Sequence, residues 1–433
     1  MKLLKVLVIG LVIAAMAVPV IAEDRFSLSG QMRVRAFMYD VDKESTNFDD
    51  SGAWNDQRMR ISGKIAVAEG VSVHFRFDAT ESDENSSNNV AWGGSSNKYN
   101  AAGTYVGGSV YQYSSRRADI QFDKAYLQLV KNGVTFQAGQ LYFGGFGHTR
   151  DMLDVVGTGF VVKYKGFYLG HVKRLDENAG NDSFGSSSIS LTSRPNNDGD
   201  VSLTALKYDY KGDGFALTPM LAYNYDDNYT DYDLLGFGLA GSANLGPVYL
   251  KGELNIFDGE RAGSIDLKGN QLYLDASMAA TDTVRVGAMF LWAEGQDGGD
   301  QQVTNMNNDG LVNWTFADWH PESYGYWSGE FVREFDIYDP SGAGAGVTAG
   351  SLYADVKVND ALSMKFAGMV YQTEDDDIAD VDGYTLNAGL AYKLMKNTTL
   401  TTHLNYNSED IDTGYDDYTD DYLQLISGLV VKF

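Results

Sequence analysis

The sequence of 433 residues contains no cysteine and only six prolines and five histidines. The absence of cysteine excludes disulfide bonds, thiolate nucleophiles and cysteine-ligated metal sites. The histidines are scattered, without the spacing of zinc ligands. Because 59 acidic residues face 33 basic ones, the formal net charge is −26, which argues against nucleic acid as a partner. We expect no metal and no cofactor.

A long apolar run occurs only at the N-terminus. Lys2 and Lys5 precede the run 6–18, and Pro19 ends it shortly before Ala22. This pattern is typical of a secretory signal peptide that is cleaved after Ala22. A membrane anchor is the alternative, although the run is shorter than the ~20 residues that a spanning helix needs. We therefore predict a signal peptide over residues 1–22 and one mature domain over residues 23–433.

Apolar and polar residues alternate with period two through nearly all of the mature chain. A helix would repeat every ~3.6 residues, so this pattern indicates strands with one lipid-facing and one water-facing side. We count eighteen such segments, beginning near residues 25, 56, 70, 119, 134, 157, 167, 201, 214, 233, 247, 270, 283, 347, 361, 383, 398 and 421. Segments 119–131 and 167–174 alternate poorly, so sixteen strands is the alternative count.

The connections between these segments alternate between short and long. The short turns, such as 131–133 and 245–247, are rich in Gly, Asn and Asp, which tolerate positive φ angles. Short periplasmic turns and long extracellular loops are typical of outer-membrane barrels. The predicted fold is an all-β, transmembrane antiparallel β-barrel, closed because lipid cannot satisfy the backbone of an open sheet edge.

Basic side chains concentrate on the water-facing side of the first three predicted strands. They are Arg33, Arg35, Arg58, Arg60, Lys64, His74 and Arg76. We predict that they form one wall of a pore constriction and face Asp151 and Asp154 of the third loop, because rings of charge set ion preference. A structural network of salt bridges away from the narrowest point is the alternative. Other water-facing basic residues are opposed by acids, among them Asp78, Glu253, Asp275 and Asp355.

Three further features have weaker interpretations. Segments 374–382 and 409–421 are acidic, and we predict that they are solvated loops. The alternative is that divalent cations bridge them to lipopolysaccharide. The longest loop, 295–346, is rich in aromatic residues and should pack over the mouth, in the lumen or on a neighbouring subunit; guidance of a sugar is the alternative. Gly236, Gly238 and Gly241 match a dinucleotide-binding pattern, but no helix follows them, so we predict no enzyme.

In pattern, the mature chain resembles the general porins of Gram-negative outer membranes. The signal peptide, the basic cluster and a last strand that ends on Phe433 carry this resemblance. It implies an outer-membrane homotrimer, a terminal strand read by the barrel-assembly machinery, and a third loop, 144–156, folded inward to narrow the pore. General porins usually have sixteen strands, whereas eighteen is typical of sugar-specific and some other substrate-specific channels.

From the residues and the resemblance together, we expect a water-filled pore in outer-membrane lipid for passive diffusion of small hydrophilic solutes and ions. A substrate-specific channel for a sugar or small acid, using loop 295–346, is the first alternative. A barrel enzyme or adhesin is the second.

Overall fold

A computed structural model describes most of the predicted strands. The described residues are 25–44, 48–78, 90–92, 121–149, 152–153, 155–176, 200–226, 232–261, 265–295, 301–303, 306, 311–312, 335–336, 345–375, 380–412 and 417–433. The predicted signal peptide lies outside them. Within these ranges, no helix is long and apolar enough to cross a membrane.

Eighteen long strands run through the described part of the chain. They are β1 (Phe26–Lys43), β2 (Phe48–Ala68), β3 (Val71–Asp78), β4 (Gln121–Lys131), β5 (Val134–Phe143), β6 (Val155–Tyr164), β7 (Phe167–Asp176), β8 (Asp200–Tyr208), β9 (Phe215–Asp226), β10 (Tyr232–Leu245), β11 (Val248–Arg261), β12 (Ile265–Ala279), β13 (Val284–Ala293), β14 (Val347–Lys357), β15 (Leu362–Gln372), β16 (Asp380–Met395), β17 (Thr398–Asp412) and β18 (Asp417–Lys432). Each pairs antiparallel with its neighbours in sequence. The predicted count of eighteen is confirmed, and sixteen is wrong.

The barrel closes where its first and last strands pair. The register between β1 and β18 runs from Gln31↔Lys432 to Lys43↔Asp420. Beyond it, the Gly30 amide donates to the Phe433 carbonyl at 2.7 Å and the Phe433 amide donates to the Gly30 carbonyl at 2.9 Å. The Phe433 ring covers Gly30 so closely that a Cβ there would lie 2.5 Å from the ring. The terminal aromatic residue is therefore part of the seam.

Two of the short turns have the backbone conformation that a tight hairpin requires. Asn132 and Gly133 have φ angles of 51° and 79°, and Lys165 and Gly166 have 45° and 89°. Two consecutive positive φ angles characterise the turns that match the right-handed twist of paired strands. The predicted turn at 131–133 is confirmed, and the turn at 165–166 has the same conformation.

Several strands extend further toward the loops than we predicted. Strand β2 begins at Phe48 instead of near 56, and β18 begins at Asp417 instead of near 421. The segment 409–421 is therefore mostly strand, and the prediction of a solvated loop there is wrong. Glu409 is 1% exposed, and its carboxylate accepts hydrogen bonds from the hydroxyls of Tyr371 at 3.1 Å and Tyr422 at 3.2 Å. A strand segment that extends beyond the lipid needs no apolar face. The alternation of apolar and polar residues that predicts strands within the membrane is therefore absent there.

Candidate functional site

The third loop folds into the barrel after β5 ends at Phe143. Phe146, Met152 and Leu153 of this loop are at most 1% exposed. They pack on inward-facing apolar side chains of the wall, which include Val161, Val172, Leu203, Met220 and Leu234. Apolar residues on both faces of the wall also explain why segment 167–174 alternates poorly. The inward loop that the resemblance implied is present.

Glu253 of β11 anchors this loop to the wall. Its carboxylate accepts hydrogen bonds from the amides of His148 and Thr149 and from the Thr149 hydroxyl; the last two measure 3.0 and 2.7 Å. The side-chain amide of Asn255 also donates a hydrogen bond to the Glu253 carboxylate at 2.9 Å. Glu253 is 2% exposed, so its charge is compensated by these donors in place of water.

Further contacts fix the loop along neighbouring strands. The Lys207 ammonium of β8 donates to the Gly145 carbonyl at 2.8 Å and lies 5.3 Å from the centre of the Phe146 ring. The His148 Nε2 atom lies 2.9 Å from the Gly241 carbonyl of β10. Gly147 has a φ of 80°, and a Cβ there would overlap the Glu253 carboxylate. Glycine is therefore required at the point where the loop meets its anchor.

The start of the longest loop packs on the third loop inside the barrel. Residues 301–302 pair in parallel with β12, and Val303 and Met306 are fully buried. The Asn224 amide of β9 donates to the Met306 carbonyl at 2.7 Å. A Cβ at Gly236 would lie 2.5 Å from the Met306 sulfur, so this glycine makes room for both loops. The start of the loop therefore packs in the lumen, whereas the packing of its aromatic residues stays a prediction. Of its aromatic residues, the described ranges include only the backbone of Phe335.

The predicted basic wall lies on the inward face of β1 to β3. The strand register places Arg33 opposite Arg58, Gln31 opposite Arg60, Ser62 opposite Arg76 and Lys64 opposite His74. Arg33 and Arg35 are 1% exposed, whereas Arg58, Arg60, His74 and Arg76 are half-buried and Lys64 is exposed. The register places all seven residues on the inner face of three adjacent strands, but it spreads them along the strands, since Lys64 lies opposite position 27, eight residues from Arg35. Asp151 and Asp154 lie outside the described residues, so their contact with this wall stays a prediction.

Ring contacts order the edges of the basic wall. The Arg35 guanidinium lies 4.7 Å from the centre of the Phe37 ring. The His74 ring stacks on Tyr126 of β4, with centres 5.0 Å apart, and its Nε2 atom lies 2.9 Å from the Ser72 hydroxyl. Stacked guanidinium and imidazole planes lose less conformational freedom than free side chains when they meet an anion.

The loop anchor and the basic wall face one another across the lumen. Glu253 lies on β11, nine strands from β2, and eighteen strands close the barrel. Half the circumference therefore separates them. Elsewhere on the wall basic groups have close acidic partners, since Lys251 lies 3.3 Å from Asp275 and Lys365 lies 3.2 Å from Asp355. The lumen thus has a basic side opposite the strand that anchors the loop, and it has paired charges on β11 and β12 and on β14 and β15.

Comparisons with known proteins give consistent results. A model of the Gram-negative porin family matches residues 10–308. Similar solved structures include OpdK from Pseudomonas aeruginosa, with a TM-score of 0.53, 12% identity and coverage of 94% of this chain and 99% of that one. A BenF-like porin from Pseudomonas fluorescens Pf-5 has a TM-score of 0.54 and 12% identity, with coverage of 94% of this chain and 99% of that one. OccAB3 from Acinetobacter baumannii has a TM-score of 0.54 and 12% identity, with coverage of 94% of this chain and 100% of that one. At such low identity these likenesses establish the fold alone. No curated protein matches the chain in sequence.

Proposed function

The chain belongs to the Gram-negative porin family, and on this premise we propose that it passes small hydrophilic solutes and ions by passive diffusion between its third loop and its basic wall. Porins are channels of the outer membrane and not enzymes, and this chain is such an outer-membrane channel. The observation that carries the proposal is the third loop, held inside the barrel by Glu253 opposite the arginines. A barrel of this size otherwise leaves a wide aqueous lumen.

The basic wall gives the passage a preference for anions. Charges act over ~8–10 Å at physiological salt, so the acidic residues of the extracellular ends have little influence at mid-barrel. Rings or walls of charged side chains set the selectivity of pores of this kind. The reversal potential under a salt gradient tests this preference: a value on the anion side supports it, and a value on the cation side contradicts it.

A channel specific for a small organic acid is the second candidate. Clustered guanidinium groups bind carboxylates in a bidentate manner, and the stacked pair of His74 and Tyr126 offers an adjacent ring surface. One of the structures with the same fold is that of OpdK with vanillate, and vanillate, an aromatic carboxylate, is therefore a suitable probe. Saturable block of the ion current by vanillate, weakened in Arg60→Ala, would favour this candidate. A solute flux that rises linearly with concentration would favour diffusion.

Export and assembly are parts of the same proposal. Residues 1–22 would be removed as a signal peptide, which the mass of the mature protein from isolated membranes tests directly. The terminal strand with Phe433 would be the segment that the barrel-assembly machinery reads. The mature barrel would assemble as a homotrimer in lipid that contains lipopolysaccharide.

A further inference from the structure

Two lysines and a tyrosine lie side by side on the inner wall below the start of the third loop. The strand register places Lys163 of β6 opposite Tyr168 of β7, and Tyr168 opposite Lys207 of β8. Directly paired residues of adjacent strands share one face of the sheet. Because Tyr168 is part of the buried cluster that includes the third loop, all three side chains face the lumen. We call them the lysine–tyrosine row.

The row lies at the periplasmic end of the barrel wall. Lys163 and Lys207 each precede the last residue of their strands, and Tyr168 follows the first residue of its strand. Lys163 is exposed, whereas Lys207 is partly buried and its ammonium group donates to the Gly145 carbonyl at 2.8 Å. The third loop therefore borders the row on one side, and water of the lumen reaches it on the other.

A buried ring supports both ammonium groups. The Lys163 ammonium lies 5.3 Å from the centre of the Tyr168 ring, and the Lys207 ammonium lies 5.8 Å from it. Tyr168 is 7% exposed, and the Phe146 ring meets it edge-on with centres 5.1 Å apart. These rings replace water on one side of the two charges, so the field of the charges is screened less than at an open surface.

The donors of the row outnumber their acceptors. Within the part of the chain that the structure describes, the Lys163 ammonium and the Tyr168 hydroxyl have no hydrogen-bond acceptor. An unpaired hydroxyl on a side chain that is more than nine-tenths buried is uncommon, since buried Tyr hydroxyls usually find a partner. Both groups are therefore available to an oxygen atom that enters from the lumen.

The charges of the row do not cancel. The Asp209 carboxylate lies 3.4 Å from the Lys207 ammonium and also acts on Lys163. One carboxylate thus serves two ammonium groups, and one positive charge remains. By contrast, Lys251 and Asp275 on β11 and β12 balance one another at 3.3 Å. The row is therefore complementary to a single negative charge.

We propose that the lysine–tyrosine row binds the carboxylate of a small organic anion. The Lys163 ammonium and the Tyr168 hydroxyl donate hydrogen bonds to its oxygens, and Lys207 adds a second positive charge on the same ring. A carboxylate carries one negative charge and matches the excess of the row, whereas a phosphate monoester carries ~1.5–2 at pH 7. The charge of the row thus favours a carboxylate.

The row is separate from the basic wall. Strand β7 is five strands from β2, which at ~4.8 Å per strand is ~24 Å along the wall. A small carboxylate therefore meets the basic wall and the row at different times. Binding at the row does not depend on conduction, but its role as the last binding position before the periplasm rests on the proposed function.

The test is a titration of the folded protein in detergent micelles, followed by NMR of lysine labelled with ¹³C at Cε. The resonance of Lys163 is assigned by its absence in Lys163→Met. We expect this resonance to shift saturably with benzoate and to stay unchanged with benzamide, which has the same ring but no charge. The Lys165 resonance is the internal control and should not saturate, because Lys165 lies in the adjacent turn, where its ammonium contacts the Tyr164 ring at 5.1 Å.

Tyr168→Phe removes only the hydroxyl group and keeps the ring. We expect the benzoate concentration at half-saturation to rise about two- to tenfold, because one hydrogen bond to the carboxylate is lost. Lys165→Met is the matched control, since it removes a positive charge at the same end of the barrel and should leave the half-saturation unchanged. The gel shift of the unheated barrel verifies that each variant is folded.

The outcomes are distinct. Equal shifts of Lys163 and Lys165 that do not saturate would show screening by salt and would overturn the proposal, as would an unchanged half-saturation in Tyr168→Phe. Tighter binding of phenyl phosphate than of benzoate at equal ionic strength would overturn the assignment to carboxylates. Saturable binding of benzoate by a protein that is silent in planar bilayers would support the row as a binding site and reject the proposed channel, so the two failures are distinguishable.

Discussion

Glu253→Gln should release the third loop from the barrel wall. The substitution keeps the size of the side chain but removes its charge, and it replaces one acceptor oxygen with an N–H donor. That donor would then face the amides of His148 and Thr149, which donate to the carboxylate in the native protein. Glu253→Ala removes every acceptor and should have a larger effect.

The magnitude follows from the contacts. Hydrogen bonds to a charged group contribute ~1.5–3 kcal/mol each, and three of those accepted by Glu253 come from the loop. Losing one or two in the glutamine variant removes ~2–3 kcal/mol, which is about 30- to 150-fold in the equilibrium between inward and released loop. Burial of Phe146 and Met152 still favours the inward state by ~1.5–3 kcal/mol per side chain. The loop should therefore be released intermittently.

The assay is single-channel recording in a planar bilayer. We expect brief steps of higher conductance and increased current noise in Glu253→Gln, and a higher mean conductance in Glu253→Ala. The control is Asp355→Asn, which removes the same single charge from the inner wall but lies on β14, where Asp355 pairs with Lys365. The current noise of this control should equal that of the native protein. Native conductance and noise in both Glu253 variants would refute the role of this residue as anchor.

Three further variants test the basic wall and the seam. Arg60→Ala should raise conductance and shift the reversal potential toward cations, because it removes a half-buried positive charge and its bulk from the inner wall. Arg33→Ala should shift both in the same direction but by less, because Arg33 is 1% exposed; unchanged values in both would exclude the basic wall from the constriction. Phe433→Ala should lower the yield of folded barrel severalfold in membranes, since the ring covers Gly30 at the closure of β1 on β18, and a normal yield on unheated gels would contradict this.

The sequence predicts the architecture well because one physical constraint acts along the whole wall. Each strand separates lipid from the lumen, so period-two alternation places most strand starts near their observed positions at the periplasmic turns. The constraint ends above the lipid, and there the prediction fails, as for β2 and β18. It also weakens where the lumen is apolar, as on β7, because the third loop packs there.

The anchor of the third loop could not be predicted in the same way. From the sequence alone, Glu253 is one of several acidic residues that are predicted to face the lumen. Its partner Thr149 is 104 residues away in sequence. A signal does exist in the composition of the loop, since Phe146, Met152 and Leu153 are apolar where a solvated loop would be polar. Gly236 carries a second signal, because a missing side chain in a strand indicates close approach of another segment. Neither signal identifies the partner.

The central claim is an open outer-membrane channel narrowed between the third loop and the basic wall. It is tested most directly by the current of the purified, refolded protein in a planar bilayer under a salt gradient. The account predicts stepwise openings and a reversal potential on the anion side. A silent bilayer with correctly folded protein would contradict the open channel, and a reversal potential on the cation side would contradict the basic wall as its narrowest part.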